Sequence, residues 1–268
     1  MISIITPTFN SGSTIARTVQ SIIAQDYKEF EHIIVDNAST DDTVDKVKAL
    51  YKTSGLSGNL KIISEKDNGI SDAFNKGIKA SKGHYIAILN SDDTYFDNSV
   101  FERAIKEFKD DKILIVYGDV LFTDSLYGTN RRAPRRCEAS GAILFNHPAM
   151  FIRKSVYDTV GPYLNSYHIA MDTELFYRLH KNYMDLEILT SYISEIPLAV
   201  MNAGGASWNQ ELQGIEETKD AMIYHGFWNF TAKKIYFARV TRTKIKKYLT
   251  MLKLNSIVKA WRRIKWEN

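Results

Sequence analysis

A chain of 268 residues with 44% hydrophobic and 12% aromatic content can bury a substantial core, which excludes disorder as the default and bounds it to one domain or two closely joined parts. A single cysteine, Cys137, excludes an internal disulfide scaffold, and with no Cys or His cluster around it a structural zinc site as well. The formal net charge of +4 conceals an asymmetry: residues 233–268 hold 12 Lys and Arg against Glu267 alone, so a mildly acidic body precedes a basic tail.

The first residues lack the basic and apolar regions of a signal peptide, and no apolar run is long enough to span a bilayer, so a reducing cytoplasm is the expected setting. Ile2 to Thr6 reads as a strand, and Thr14 to Gln25 as a helix with Ile15, Val19, Ile22 and Ile23 on one face. His32 to Asp36 is the next strand. Ser39 or Thr40 then offers an N-cap for a helix whose inward face is Val44, Val47 and Leu50,. Leu60 to Glu65 follows as a strand, Ser71 to Ala80 as a helix and Tyr85 to Leu89 as a strand. Short β-branched runs alternating with amphipathic stretches predict an α/β fold on a largely parallel sheet.

Beyond Asp93 the pattern changes. Ser99 to Phe108 reads as a helix, Ile113 to Asp119 and Val120 to Thr123 as strands, and the polar, Arg-rich Ser125 to Ala142 as a mobile loop,. Phe145 to Arg153 reads as a strand, Met171 to Lys181 as a helix, Ile188 to Met201 as mostly extended, and the remainder as helices.

In open α/β sheets ligands sit outside the carboxyl ends of the strands. Four segments occupy that position: Thr6-Pro7-Thr8-Phe9-Asn10, Asp36-Asn37-Ala38-Ser39, Lys66-Asp67-Asn68-Gly69 and Asn90-Ser91-Asp92-Asp93. Neither common glycine-rich phosphate loop is present, so phosphate charge falls to a metal or to basic side chains. Adjacent Asp92 and Asp93 suit a hard divalent cation such as Mg²⁺ or Mn²⁺, although turn chemistry alone also accounts for Ser-Asp-Asp-Thr.

These segments, with Asn75-Lys76-Gly77, resemble in order and spacing the consecutive motifs of family 2 glycosyltransferases, over about residues 1 to 95,. The resemblance implies a GT-A fold, a Rossmann-like mostly parallel sheet flanked by helices. It implies a nucleotide-diphosphate sugar donor, Mn²⁺ or Mg²⁺ as cofactor, and inversion at the anomeric carbon. Carried over by position, Thr6, Pro7 and Asn10 line the nucleotide pocket and Asp36 recognises the base, usually uracil. Asp67 and Gly69 lie beside the nucleoside, Asp92 near the ribose or donor sugar, and Asp93 on the metal. Asn37 and Asn90 stand where the family often has aspartate.

Met171-Asp172-Thr173-Glu174-Leu175-Phe176-Tyr177-Arg178-Leu179 resembles the family's acceptor-side motif, in which Asp172 is the general base,. A helix cap with a core face is the alternative for the same residues. His147, Arg131 and Arg132 are candidate contacts to acceptor or diphosphate, and a structural histidine or a solvated basic loop explains them equally well. Gly204-Gly205-Ala206-Ser207 resembles a family turn near the active site.

The expected organisation is a nucleotide-sugar part over 1–95, an acceptor part over 96–207 and a basic helical extension over 208–268. In that extension Ile245, Tyr248, Leu249 and Leu252 share a helical face, as do Leu254, Ile257, Val258, Trp261 and Ile264. Cations interleaved with such faces suit an anionic membrane, here the inner face of the cell membrane; packing on the body or in a homodimer is the alternative. Nucleic acid is not expected from an acidic body. The resemblance implies a glycan or polyprenyl-diphosphate-linked acceptor in surface-polysaccharide synthesis, with a sugar nucleotidyltransferase or a non-catalytic sugar-nucleotide scaffold as rivals.

Overall fold

The structure, a computed structural model of the chain, describes residues 1–124, 128–183, 185–205, 210–252 and 254. Strands β1 (Ile2–Thr8), β2 (Phe30–Asp36), β3 (Leu60–Ser64) and β4 (Tyr85–Ile88) form from the short β-branched runs. Ile2, Ile4, Ile5, Ile33, Ile34 and Val35 lose all solvent exposure, as strands covered on both faces must. They pair in parallel in the order β3-β2-β1-β4. Helix α1 (Ile15–Ile23) buries the predicted Ile15, Val19 and Ile22. Helices α2 (Thr43–Ser54) and α3 (Ile70–Ala80) complete the crossovers. α3 sits so close to β1 that a Cβ on Gly77 would lie 2.4 Å from Ile5 Cγ2.

The second half extends this sheet with antiparallel β11 (Met150–Arg153) wedged between β4 and β6 (Ile115–Gly118), and β12 (Thr190–Ile193) closes the edge. A smaller sheet follows the order β5-β13-β7-β8, from β5 (Thr94–Tyr95), β13 (Ala199–Asn202), β7 (Val120–Asp124) and β8 (Gly128–Arg132). Short β9 (Arg135–Arg136) pairs with β10 (Ile143–Leu144). Helices α4 (Val100–Glu107), α5 (Ser155–Val160) and α6 (Met171–Asn182) pack on the sheet, and α7 (Glu211–Tyr224) and α8 (Phe230–Met251) form the C-terminal extension. The α/β architecture is the one expected.

Four local expectations are corrected. Helix α2 starts at Thr43 rather than after Ser39 or Thr40, because Ser39 is engaged by Asp36 and Asn10 and Thr40 by Asn10. The expected mobile loop 125–142 contains strands among its described residues: β8 pairs antiparallel with β7 from Val120↔Arg132 to Asp124↔Gly128, and Arg135–Arg136 form β9. Phe145 to Arg153 is not one strand, since Pro148 sits in a 3-10 turn over His147–Ala149 and the strand begins at Met150,. Finally, Ile188 to Met201 divides between the two sheets. Of the tail's two apolar faces, the second lies outside the described residues apart from Leu254.

Candidate active site

The strand order 3-2-1-4 reverses direction between β1 and β4, which opens a crevice at their carboxyl ends,. The register of β1 with β4 stops at Ile5↔Ile88, so Thr6 to Thr8 run past the end of β4. Pro7, which has no N–H to give, therefore lies where β1 has β2 as its one neighbouring strand,. The loops after β1 and β4 meet through the Ser11 and Ser91 hydroxyls, 2.9 Å apart. Asn10, at φ 47, donates its N–H to Ser39 and accepts from the Thr40 N–H, which ties the β1 loop to the β2 loop. A non-glycine held at positive φ is a form of backbone strain common at functional loops.

Thr6 is fully buried below the crevice, with its hydroxyl 2.9 Å from His32 Nε2, while His32 Nδ1 meets the Tyr51 hydroxyl at 2.8 Å. Burial lowers His32 to about 3, so it is neutral and structural. Thr8 is the residue that sequence reading overlooked: its hydroxyl is buried at the tip of β1 with no hydrogen-bond partner. Such a group costs stability unless something else satisfies it.

Asp36 is fully buried. Its carboxylate accepts from the Ser39 N–H and hydroxyl and from the Ser64 hydroxyl at 2.6 Å. It braces the β2 and β3 ends rather than facing open space. Half-buried Asn37 lies next to it and accepts the Asp67 N–H at 2.9 Å. Asp67 in turn accepts the Gly69 N–H at 2.9 Å, and Gly69 takes φ 106, a conformation that favours glycine,. Burial pushes the Asp67 carboxyl up, with the Lys76 charge opposing it.

The acidic pair after β4 splits. Asp93 is 2% exposed and turned inward, 3.4 Å from both the Asn202 N–H and the Asn90 amide. Burial, then the neighbouring charge of Asp92, pushes its carboxyl up to about 8. Asp92 is partly buried; burial raises it too, and the charge of Arg17 opposes the shift. Asn202 fastens the pair from the end of β13, its side chain donating to the Asp92 carbonyl at 2.8 Å. Applying the strand-end rule to the last strand as well as the first four would have found Asn202.

A divalent cation fits these residues only in part. The oxygen donors are of the right hardness, yet among the described residues no group of three His, Cys, Asp or Glu side chains could hold a metal. A cation sharing its shell with a diphosphate needs one or two protein carboxylates, and Asp92 is the accessible one. The sequence expectation had put the metal on Asp93.

Asp172 lies in the first turn of α6, half-buried, and accepts from the Thr173 N–H at 2.6 Å. Burial raises its carboxyl above the usual range. This segment is bound to α3: Asn75 makes paired hydrogen bonds with the Tyr163 backbone at 2.8 and 2.9 Å, and Ser71 donates to the Tyr167 carbonyl. Glu174, fully buried, accepts two hydrogen bonds from Arg178 and lies 3.0 Å from His225 Nε2. It joins α6 to the turn after α7.

The three candidate contacts to acceptor or diphosphate are engaged within the protein. His147 is 9% exposed, stacks on Phe74 and lies 3.3 Å from the Tyr163 hydroxyl. Burial lowers it to about 4. Arg131 pairs with buried Asp119 at 2.6 Å and donates to the Ser194 carbonyl. Arg132 lies 3.5 Å over the Phe122 ring. A hydrophobic setting for His147 and paired strands for the arginines replace the exposed loop that was expected.

The family model described as glycosyl transferase family 2 matches residues 3–179. The chain belongs to that family. It is therefore a glycosyltransferase with a GT-A fold. It is 29% identical over 214 residues to a PGL/p-HBAD biosynthesis glycosyltransferase of Mycobacterium bovis, covering 77% of this chain and 79% of that one. Among solved structures, the mannosyltransferase PcManGT from Pyrobaculum calidifontis, in complex with GDP-Man and Mn²⁺, matches 98% of this chain and 82% of its own. The TM-score is 0.64 at 16% identity. TarS of S. aureus, in complex with UDP-GlcNAc, matches 84% of this glycosyltransferase, which spans 65% of that chain, with a TM-score of 0.63 at 20% identity.

Proposed function

We propose that this glycosyltransferase moves a sugar from a nucleotide-diphosphate donor, in the first instance a UDP-sugar, onto a hydroxyl of a glycan or lipid-linked acceptor in surface-polysaccharide synthesis, with inversion. The observation that carries the reading is the crevice beyond β1 and β4, whose loops meet through Ser11 and Ser91, with partly buried Asp92 on the β4 loop and the unpartnered Thr8 hydroxyl at the tip of β1. Residues 1–95 bind the donor, 96–207 the acceptor, and 208–268 form the extension.

Asp92 takes the accessible position for a cation or the donor, with Asp93 behind it holding the β4 turn. Asn10, Asn37, Asp67 and Gly69 shape the nucleoside side, and Asp36 supports them from below. A bound Mg²⁺ or Mn²⁺ would neutralise charge on the departing diphosphate. Asp172 accepts the proton of the attacking hydroxyl, and its raised pKa makes it a stronger base than an exposed carboxylate,.

The extension places the acceptor reaction at an anionic membrane. Phe230, Phe237, Ile245, Tyr248 and Leu252 are exposed along one face of α8. Lys233, Lys234, Lys244 and Lys247 flank them, with no acid anywhere in the helix. Among the described residues no helix is long and apolar enough to cross a membrane, so attachment would be to the surface.

Thermal unfolding with UDP, GDP and dTDP, each with and without Mn²⁺, tests the donor reading. A nucleotide at a hundredfold excess over its Kd stabilises by about 2.7 kcal/mol. We expect the largest shift with UDP and Mn²⁺, reduced in Asp92→Asn. No shift with any nucleotide would overturn the proposal.

A further inference from the structure

Helix α6 carries Asp172, yet its N-cap residue is Ala170, which has no side chain to accept the free N–H groups of the first turn,. Glu217 meets the first of them, the Ala170 N–H, together with the two N–H groups that lead into the helix. Glu217 on α7 places one carboxylate oxygen, Oε2, against three consecutive backbone N–H groups, those of His168 at 3.1 Å and of Ile169 and Ala170 at 2.8 Å. Its other oxygen accepts from Gln213 at 2.9 Å. The backbone hydrogen bonds hold Glu217 below the usual carboxylate range despite its burial, so it is an anion at neutral pH. An anion at the start of a helix is stabilised by the helix dipole.

Two carboxylates thus join α6 and the extension from opposite directions. Glu174 reaches from α6 to His225, which follows α7. Glu217 reaches from α7 to the residues preceding α6. The first fixes the body of the helix. The second fixes the turn from which Asp172 projects two residues later.

We propose that Glu217 is a positioning residue for Asp172, holding the 168–170 turn so that the C-terminal extension is part of the acceptor site rather than an appendage. This rests on the reading of Asp172 as the base. Glu217 also acts on Asp172 through its charge, which adds to burial in disfavouring the ionised form. Thr173 opposes both by hydrogen bonding. The other charged and titratable groups of this neighbourhood are His168 in the turn itself, Tyr163 beside Asp172, Tyr167 with Asp220 and Tyr224 near Glu217, and the Glu174, Arg178 and His225 cluster.

The test uses the full chain. Glu217→Gln keeps an oxygen acceptor and removes the charge; Glu217→Ala removes both. The Asp172 carboxyl is followed by ¹³C NMR titration, assigned by its loss in Asp172→Asn, and the amides of residues 168 to 170 by hydrogen exchange. In Glu217→Gln the Asp172 midpoint should move to lower pH, a change that a merely structural residue would not produce. In Glu217→Ala the three amides should exchange on the order of tenfold faster, the factor that one lost hydrogen bond supplies, while β1 to β4 keep their protection. An Asp172 midpoint unchanged in a folded Glu217→Gln protein would overturn the proposal. Near-normal transfer by Asp172→Asn would instead defeat the reading of the base, and the two failures are separately visible.

Discussion

The proposed donor half and the proposed acceptor half reach their geometry by different routes. In the first, Thr8 and Asp36 end β1 and β2, Asp67 and Asp92 follow β3 and β4, and the parallel register alone brings them to one edge of the sheet. In the second, Asp172 is placed by partners far away in the chain: Asn75 on α3 holds Tyr163, Glu217 on α7 holds residues 168 to 170, and His225 meets Glu174. A site built by a sheet is set by local patterning. A site built by buried polar contacts depends on each one.

Removal of the proposed base tests the chemistry of the second half directly. Asp172→Asn should lower transfer by about 10²–10⁴-fold, the usual contribution of a positioned base. Tm and the nucleotide-dependent thermal shift should stay close to wild type. A shift lost together with activity would mean that the two halves are not separable as described.

The next largest effect concerns how the acceptor half is held. Glu174 is fully buried with partly buried Arg178 beside it, so Glu174→Ala leaves that guanidinium with the Val160 and Pro162 carbonyls but no carboxylate, at a cost of up to about 3 kcal/mol in chemical denaturation,. Leu175, Phe176 and Leu179 form the core face of this helix, which the sequence offered as part of the alternative to a catalytic Asp172. The role of Glu174 was not legible, because spacing says nothing about a histidine 51 residues away. The same limit applies to the arginines of residues 131 and 132. Their sequence looks like a loop, and only pairing with β7 and the buried Asp119 makes it a strand.

A pH experiment sharpens the boundary between the halves, where His147 on one side stacks on Phe74 of the other. Its folded-state value, lowered to about 4 from an ordinary 6.5, lies below the unfolded one. Its contribution is therefore intact above about pH 6.5 and is lost as the pH falls toward 4, while the unfolded chain takes up a proton that the folded chain refuses,. Between pH 7 and pH 5 this amounts to about 2 kcal/mol. His147→Phe keeps a ring against Phe74 and removes the titration. The difference in urea stability between variant and wild type should move in favour of the variant by that amount over those two pH units. A constant difference would show that His147 is not neutral in the fold.

The smallest effect separates the acidic body from the basic extension. On α8, cations and exposed apolar residues share the outward face, while Ala232 and Thr243 are buried on the inward one and Lys246 pairs with Glu211 across to α7. The interleaved pattern was legible in the sequence; which face packs was not, because both faces carry apolar residues and cations. Near an anionic surface each cation contributes about 1 kcal/mol, or roughly fivefold in affinity. Lys244→Gln and Lys247→Gln should each weaken binding to phosphatidylserine-containing vesicles by that factor at low salt, and Lys48→Gln on α2 should not. Equal binding to phosphatidylcholine alone, or none to either, would assign the outward face of α8 to a protein partner and leave the acceptor half without a membrane beneath it.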